Sequence, residues 1–461
     1  MKSDEQNPGS GSLSRRNFFK MGAASAVSLS VLNLARANAQ GVAAQDATVH
    51  GSMVDVPFEK RNPRIAFIGV GHRGTSLLKN LLAANAQVVA VCDLVQDAAD
   101  HAASLIVAAG QPKPALFTAG PYAFETMLAK DDIDLVIVAT PWSWHCEMGV
   151  AAMKHGKDVC LEVPAVITLD ECWKIVKTSE ETHKHCMILE NCCYGYNETL
   201  ILRMVHDGKF GELLHGEGAY LHDLRAGLFS DKSEGLWRRA EHTMRDGNLY
   251  PTHGLGPVAN YMGIQRGDRF GLIVSMSSRQ RSLDEYRQAH LKPGDPRFEE
   301  RYICGDMNTS LIKTVKGLTI TVKHTVTTPH PYDRINMIAG TKGVFQDYPP
   351  RIYFDEMNKD ESWGSIDDWK QYAHPLWQRE GEQAAKVGGH GGMDYLMLAR
   401  MLQCVREGLP PDIDVYDAAA WSAVGALSVT SVSNGSAPIE FPDFTQGKWT
   451  QRSASGIATQ A

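Results

Sequence analysis

Three glycines early in the chain have the spacing of a phosphate-binding turn. The apolar run Arg64-Ile-Ala-Phe-Ile68 leads directly into Gly69-Val-Gly71-His72-Arg73-Gly74, and a helical pattern follows from Thr75 to Ala83. In such a turn the first glycine permits a sharp bend, the second lets a pyrophosphate approach the backbone, and the third lets the helix pack on the strand. The helix N-terminus adds partial positive charge for the anion. The segment therefore predicts a dinucleotide site, with contacts from Gly69, Gly71, His72, Arg73 and Gly74.

An acidic residue at the end of the next apolar run indicates which dinucleotide is bound. The run Gln87-Val-Val-Ala-Val-Cys ends in Asp93, 19 residues after Gly74. A carboxylate at this position accepts hydrogen bonds from the hydroxyls of the adenosine ribose and repels a 2′-phosphate. We therefore predict NAD, and not NADP, as the cofactor.

Side chains suited to acid–base chemistry, hydrogen bonding and stacking follow three further apolar runs. They are Trp142, Ser143, Trp144 and His145 after run 134–140, Glu162 in run 158–164, and Asn191 to Tyr194 after run 186–190. Ligands of parallel sheets lie beyond the carboxyl ends of the strands, so we expect these residues at one rim. Each group alone could be a capped turn, whereas together they indicate a site.

The elements that must position these residues fall into two patterns. Up to about residue 190, apolar runs alternate with helical segments, which predicts a doubly wound parallel sheet. From about residue 195, strand-like alternation is separated by long polar insertions, at 214–221, 270–278, 308–315 and 318–325, with closing helices at 394–408 and 416–433. We predict the α/β class, with an N-terminal Rossmann domain and a C-terminal α+β domain whose sheet is mostly antiparallel.

Length and composition fit this division. The 461 residues are 43% hydrophobic and 21% charged, which is typical of a globular protein. The 46 basic and 53 acidic residues give a net charge of −7 without a basic run, which argues against a nucleic-acid partner. The predicted boundaries are 1–39 for a signal peptide, 40–60 for a linker, 61–190 for the NAD-binding domain, 191–445 for the substrate-binding domain and 446–461 for a tail.

The N-terminus has the pattern of a twin-arginine export signal. Ser14-Arg-Arg-Asn-Phe-Phe-Lys20 precedes the weakly apolar stretch 21–35 and the small-residue site Ala37-Asn-Ala39. A stretch of this length falls short of the roughly 20 residues that cross a bilayer. We predict cleavage after Ala39 and a periplasmic or secreted protein, exported folded, with no membrane anchor in its mature form.

The nine cysteines have no metal-type CxxC spacing, and most lie in apolar strand-like contexts. Buried thiols explain such positions best. We therefore predict no metal site and no required disulfide.

The order of these motifs resembles the Gfo/Idh/MocA oxidoreductases. Those proteins usually have Glu-Lys-Pro where this chain has Glu162-Val163-Pro164, and their lysine assists hydride transfer at a sugar carbinol. A more specific combination is similar to glycoside hydrolase family 109 over about residues 60 to 445: Trp142-Ser-Trp-His145, Asn191-Cys-Cys-Tyr194, Tyr220, Trp237-Arg238, the segment 245–257 and His330-Pro-Tyr332. The founding activity of that family is α-N-acetylgalactosaminidase, with tightly held NAD.

The resemblance implies which residues contact each ligand. NAD contacts are expected from the turn at 71–74, Asp93, Trp142, Ser143, Trp144, His145, Glu162, Val163, Asn191 and Tyr250. Sugar contacts are expected from Tyr220, Arg238, Tyr250, Pro251, Thr252, His253 and Tyr332. His253 and Tyr194 are expected to handle protons at C3 and C2, with Tyr250 or Tyr332 assisting the leaving oxygen, and the assignment among these four stays open. Tyr220 could equally be ordinary sheet packing, and Gly388–Gly392 with His390 could be a substrate loop or a linker.

The implied mechanism differs from that of most glycosidases, which use two carboxylates. The sugar is oxidised transiently at C3, loses its C2 proton, expels the group at C1, adds water and is reduced again. Two alternatives remain open, a periplasmic NAD-dependent sugar oxidoreductase and an NAD-holding scaffold without catalysis. The sequence leaves the sugar, its anomer and the linkage undecided, and it is compatible with a homo-oligomer.

Overall fold

The computed structural model describes residues 51–355, 357 and 361–459 of the chain. The predicted signal peptide, residues 1–39, and the predicted linker as far as residue 50 lie outside these ranges. Of the helices in the described ranges, none is both long enough and apolar enough to cross a bilayer.

The N-terminal part forms a parallel sheet of six strands in the order β3-β2-β1-β4-β5-β6. The strands are β1 (Arg64–Ile68), β2 (Gln87–Cys92), β3 (Ala115–Phe117), β4 (Leu135–Val138), β5 (Asp158–Leu161) and β6 (Cys186–Ile188). Every residue of β4 and β5 is buried, as expected for parallel strands covered on both faces. The prediction of a doubly wound Rossmann domain is confirmed.

Five helices connect these strands. They are α1 (His72–Ala83), α2 (Gln96–Ala108), α3 (Ala123–Leu128), α4 (Trp142–Lys154) and α5 (Leu169–Thr182). Helix α1 begins three residues before the predicted Thr75, because the glycine turn itself closes the first helical turn. Helix α5 begins with a capping box, in which the Thr168 side chain and Glu171 satisfy each other's backbone N–H groups.

The C-terminal part is built on a sheet of eight strands in the order β13-β12-β11-β7-β10-β9-β8-β14. The strands are β7 (Leu213–Leu221), β8 (Phe270–Ser277), β9 (Asn308–Thr314), β10 (Thr319–Thr325), β11 (Met337–Gly340), β12 (Gly343–Gln346), β13 (Arg351–Phe354) and β14 (Ile439–Glu440). Only the β7–β10 pair is parallel among the strand pairs of the described residues of this sheet. The prediction of a mostly antiparallel sheet is therefore confirmed.

Nine helices of the described residues accompany this sheet, and some of them pack against the sheet or the Rossmann domain. They are α6 (Tyr196–His206), α7 (Arg225–Leu228), α8 (Arg238–Met244), α9 (Thr252–Tyr261), α10 (Ser282–His290), α11 (Pro375–Val387), α12 (Met393–Glu407), α13 (Val415–Ser433) and α14 (Gly456–Thr459). Helix α12 packs against α1, and α13 packs against both α5 and β8. The last two long helices therefore hold the two sheets together.

The segment predicted as a tail, residues 446–461, packs against this body as far as it is described. Arg452 is buried and forms an ion pair with the buried Asp414. Ile457 is 1% exposed, and α14 contacts α6. This segment therefore contributes to the core.

Candidate active site

A cavity of about 550 Å³ lies where the carboxyl ends of β1, β2, β4 and β5 face β7, α8 and the start of α9. It lies at the switch point of the parallel sheet, between β1 and β4, where such folds bind ligands. The predicted site residues that line it are Gly69, Gly71, His72, Arg73, Asp93, Trp142, Trp144, His145, Glu162, Val163, Tyr220, Arg238, Tyr250 and His253. The predicted cofactor end and the predicted sugar end thus share one cavity.

Seven predicted site residues do not line this cavity: Gly74, Ser143, Asn191, Tyr194, Pro251, Thr252 and Tyr332. Gly74 acts through packing, because a Cβ there would lie 2.1 Å from the Gly69 carbonyl oxygen. Asn191 donates a hydrogen bond from Nδ2 to Asp394. Tyr332 lies next to the cavity wall, with its ring edge-on to Tyr220 at 5.9 Å between centroids.

The structure contradicts the proton-transfer role predicted for Tyr194. Its side chain is fully buried, and its hydroxyl donates to Asp412 Oδ2 at 3.3 Å, away from the cavity. Burial and the adjacent Asp412 raise the pKa of Tyr194 well above its usual value. Because Asp412 also binds Arg400, with Nε–Oδ2 at 2.9 Å, Tyr194 belongs to a structural hydrogen-bond group.

The glycine turn has the geometry that a pyrophosphate requires. Gly69 has a φ of +86°, and a Cβ there would lie 2.8 Å from the Ala139 carbonyl oxygen. At Gly71 a Cβ would meet nothing within 4 Å, so the space in front of the turn is open. No side chain caps the N-terminus of α1, which leaves its first N–H groups to bind an anion.

Asp93 is held in place for the ribose. Its Oδ2 accepts from the Val70 N–H at 2.8 Å, and its Oδ1 accepts from the Val95 N–H at 2.9 Å. A carboxylate offers about four lone-pair positions, so two remain for hydroxyl groups. The position and chemistry of Asp93 therefore fit NAD.

Arg73 connects the glycine turn to both halves of the molecule. Its Nε donates to Glu162 Oε1 at 2.6 Å, and its Nη1 donates to Asp394 Oδ2 at 2.6 Å. Asp394 lies in the first turn of α12 and also accepts from Asn191 and from His390 Nδ1. Burial alone would raise the pKa of Asp394, but its hydrogen bond to His390 and the charge of Arg73 hold it below its usual value. His390, which the sequence placed in either a substrate loop or a linker, also lines the cavity.

His145 has a structural role beside the cavity. The side chain is fully buried, with Nδ1 2.9 Å from the Pro164 carbonyl oxygen and Nε2 2.8 Å from that of Thr140. Burial lowers the pKa of His145 below its usual value. The ring joins the segments that follow β4 and β5, and so fixes one wall of the cavity.

Arg238 is surrounded by aromatic rings at the sugar end. Its guanidinium carbon lies 4.8 Å from the Tyr250 ring centroid, 5.0 Å from that of Trp142 and 5.9 Å from that of Tyr220. Nη1 donates to Glu234 at 2.6 Å. Nη2 is buried and has no hydrogen-bond partner among the described residues. A buried donor in this state favours a ligand oxygen.

His253 lies between a carboxylate and a phenol. Its Nδ1 is 2.7 and 3.0 Å from the two carboxylate oxygens of Glu190, which is fully buried. Its Nε2 is 3.3 Å from the Tyr250 hydroxyl oxygen. Burial opposes the ionisation of Glu190, but the charge and hydrogen bond of His253 bring the pKa of Glu190 below its usual value.

Two facing glycines bring His253 to this position. A Cβ on Gly254 in α9 would lie 2.2 Å from the Ala219 backbone nitrogen, and a Cβ on Gly218 in β7 would lie 2.2 Å from the Gly254 carbonyl oxygen. Helix α9 can therefore contact β7 backbone to backbone. This contact brings the His253 ring to 5.4 Å from the Tyr220 ring, between centroids.

Sequence reasoning assigned no role to Glu190, Glu234 or Asp394. The sequence could have indicated a role for Glu190, because the apolar run that begins at Cys186 ends in this residue. Glu190 therefore lies at a strand end, as Asp93 and Glu162 do. Asp394 carried no such signal, since its partners Arg73 and Asn191 are distant in sequence. Glu234 lies four residues before its partner Arg238, a spacing that brings side chains together on a helical segment and could have indicated the pair.

Glu190, Cys192 and His253 also place one ligand atom each within 4.8 Å of one another. Hydrogen bonds within the chain already engage these atoms, since His253 Nδ1 donates to Glu190 and Cys192 Sγ to Asn191 Oδ1 at 3.5 Å. Burial raises the pKa of the Cys192 thiol well above its usual value, which keeps it protonated. The donor set therefore fits a hydrogen-bonded group better than a metal site.

Comparisons with known protein families match both parts of the chain. The oxidoreductase family with an NAD-binding Rossmann fold, Gfo/Idh/MocA, matches residues 63–190. The C-terminal domain of glycosyl hydrolase 109 matches residues 194–451. The Rossmann family match and the glycine turn confirm the expectation of NAD.

Similar proteins extend over nearly the whole chain. A glycosyl hydrolase family 109 protein of Solibacter usitatus (strain Ellin6076) is 57% identical over 406 residues, covering 87% of this chain and 92% of that protein. Another, from Saccharopolyspora erythraea, is 49% identical over 453 residues and covers 97% of both chains. A solved levoglucosan dehydrogenase in complex with NADH has the same fold, with a TM-score of 0.63 and 17% identity over 83% of this chain and 100% of that chain.

Proposed function

This chain belongs to glycosyl hydrolase family 109, and from that membership we propose that it is an NAD-dependent glycosidase. The proposed substrate is a terminal α-N-acetylgalactosamine or a related glycoside. Cleavage proceeds by transient oxidation at C3, elimination of the group at C1, addition of water and reduction. The cavity supports this proposal, because the glycine turn lines the same cavity as Arg238, Tyr250 and His253.

In this proposal, different residues of the chain bind the dinucleotide, bind the sugar and transfer the proton. NAD, when bound in this cavity, would supply the hydride acceptor and return the hydride within the same turnover. Asp93 and the N-terminus of α1 hold the dinucleotide at one end of the cavity. Arg238 offers its unpaired Nη2 to a sugar hydroxyl or acetamido oxygen. Tyr250 and His253, joined by a hydrogen bond, move a proton at the reacting oxygen.

A sugar oxidoreductase is the second candidate, and the fold shared with levoglucosan dehydrogenase favours it. Such an enzyme consumes NAD in proportion to product, or needs a second substrate to restore it. The glycosidase needs neither. The cofactor requirement therefore distinguishes the two candidates.

The test is turnover of an aryl α-N-acetylgalactosaminide by purified enzyme with no NAD added. We expect many turnovers for each enzyme molecule and none after borohydride reduction of the bound cofactor. His253→Ala is expected to lower the rate by about 10²-fold or more, the usual range for a positioned acid or base. His215→Ala, on β7 and away from the cavity lining, is the matched control. Wild-type rates from fully reduced enzyme would contradict the redox mechanism.

We further propose that the protein is exported by the twin-arginine pathway and acts in the periplasm or outside the cell. The motif Ser14-Arg-Arg-Asn-Phe-Phe-Lys20 and the site Ala37-Asn-Ala39 support this. N-terminal sequencing of periplasmic material should begin near Gln40. Exported protein that retains residues 1–39 would contradict the cleavage site.

A further inference from the structure

Glu190 does not line the cavity, yet it is the fully buried partner of His253, which does. Both of its oxygens are within 3.0 Å of His253 Nδ1, and Oε1 also accepts from the Cys192 N–H at 3.1 Å. A carboxylate only accepts hydrogen bonds. The proton of a neutral His253 therefore lies on Nδ1, and Nε2 carries a free lone pair.

The free lone pair of Nε2 faces the Tyr250 hydroxyl at 3.3 Å. Burial and the adjacent Tyr220 raise the pKa of Tyr250 well above its usual value, so the phenol stays protonated. A protonated phenol can take a proton from a substrate only if it passes its own proton to another base. His253 Nε2 is a base in position to receive that proton.

We infer that Glu190 is a positioning residue, which fixes the proton on His253 Nδ1 so that Nε2 relays protons for Tyr250. This inference rests on the proposed glycosidase function. In the forward direction, a substrate hydroxyl gives its proton to the Tyr250 oxygen as the Tyr250 proton moves to His253 Nε2. The imidazolium that forms is paired with the Glu190 carboxylate, and the reverse transfer restores all three groups.

The arrangement also determines which residue touches the substrate. The Tyr250 ring is stacked on Trp142, with 5.6 Å between centroids, and Arg238 lies over it, so its hydroxyl is held in one orientation. His253 Nε2 lies 3.3 Å from that hydroxyl and acts through it. Tyr250 is therefore the catalytic residue at the substrate. His253 accepts the Tyr250 proton, and Glu190 fixes the His253 tautomer that can accept it.

The first measurement requires no turnover. Holoenzyme labelled with ¹⁵N-histidine is compared by NMR with His253→Ala holoenzyme, which identifies the His253 signals. We expect an Nδ1-bound proton, shifted downfield by the carboxylate, that is lost in Glu190→Gln, because the glutamine amide can donate to Nδ1 and move the proton to Nε2. A proton on Nε2 in the wild-type enzyme would overturn the inference.

The second measurement is a double-mutant cycle with an aryl α-N-acetylgalactosaminide. Glu190→Gln should lower kcat by roughly 10² to 10⁴-fold with little change in KM, as for carboxylates that fix a catalytic histidine tautomer. In a His253→Ala background the same change should cost no more than about twofold, since Glu190 acts only through His253. Additive losses would overturn the inference.

A matched variant separates this role from general stability. Glu180 is also a buried carboxylate, and it accepts from the Tyr416 hydroxyl at 2.7 Å, outside the cavity lining. Glu180→Gln should keep the wild-type kcat and NAD content. If the wild-type enzyme cleaves no glycoside, the proposed function fails, while the NMR measurement still decides where the His253 proton lies.

Discussion

At the scale of single residues, the site depends on acceptors held by the backbone. Asp93 accepts two backbone N–H groups and still has lone pairs free toward the cavity. Its orientation is therefore set before a ligand arrives, which lowers the entropic cost of binding. Glu190 is held in a similar way by the Cys192 N–H, although its remaining capacity is used by His253.

Asp93→Asn should weaken NAD binding by about 10 to 100-fold, because a charged acceptor for hydroxyl groups is worth roughly 1.5–3 kcal/mol. The measurement is the NAD released on denaturation of purified enzyme, followed by titration of NAD into emptied protein. Asp97→Asn, an exposed acid in the first turn of α2, is the control. Release of NADP from the wild-type enzyme would contradict the role of Asp93.

At the scale of elements, the contact of α9 with β7 decides where the reactive groups lie. The helix contains Gly254, Gly256 and Pro257, residue types that disfavour an isolated helix. It forms because the backbone contact at Gly218 and Gly254 and the burial of nearly all its side chains outweigh poor propensity.

Gly254→Ala should destabilise the protein by about 1–3 kcal/mol or more, the usual cost of overpacking, and should lower activity as α9 moves away from β7. Chemical denaturation and the glycosidase assay measure the two effects. Gly227→Ala in α7 is the control, since a Cβ there meets nothing within 4 Å. Equal stability of the two variants would show that the helix contact has more room than the backbone distances indicate.

The attachment of α12 to the glycine turn is expected to depend on pH. The pKa of Asp394 is below its usual value despite burial, so its ionisation stabilises the fold above pH ~4 and that contribution is lost as the pH falls through the lower folded-state pKa. Asp394→Asn should cost about 1–3 kcal/mol at neutral pH, and the difference from wild type should shrink in acid. Denaturation across a pH series measures it, with the exposed Asp367→Asn as control. A difference that grows in acid would contradict this account.

At the scale of the whole molecule, two sheets contribute residues to one cavity. The Rossmann sheet contributes the glycine turn and Asp93, and the second sheet with its helices contributes Tyr220, Arg238 and the α9 residues. Helices α12 and α13 contact elements of both parts, which gives the cavity two fixed walls.

The proposed sequence of bond changes leaves an isotopic record. With an aryl α-N-acetylgalactosaminide in deuterated water, the product should carry deuterium at C2, since the C2 proton leaves before water adds and can mix with solvent. Mass spectrometry and NMR of the product measure it. Hydrolysis by a two-carboxylate α-N-acetylgalactosaminidase under the same conditions is the control and should leave C2 unlabelled. An unlabelled product, together with full activity of borohydride-reduced enzyme, would contradict elimination.

The sequence by itself determined the cofactor half of this protein. A strand, three spaced glycines, a helix and Asp93 are contiguous in the chain, so local pattern specifies their geometry. The strands predicted in this half end within about three residues of the observed ends, whereas the short β3 was not predicted. The strands of the second sheet at 213–221 and 308–314 were also visible, because alternation follows from one covered face.

Only the tertiary structure showed the partners of the residues that we propose to transfer protons. Tyr194 looked reactive from its place after a strand, yet its hydroxyl faces Asp412, 218 residues away. Glu190 reaches His253 across 63 residues, and Arg73 reaches Asp394 across 321. Such pairs depend on helix packing and glycine contacts between distant segments. These contacts produce no periodic pattern in the sequence. The sequence therefore indicated which residue types could form a site. The hydrogen-bond partners of these residues, which determine how they can act, follow from the packing of α9 and α12.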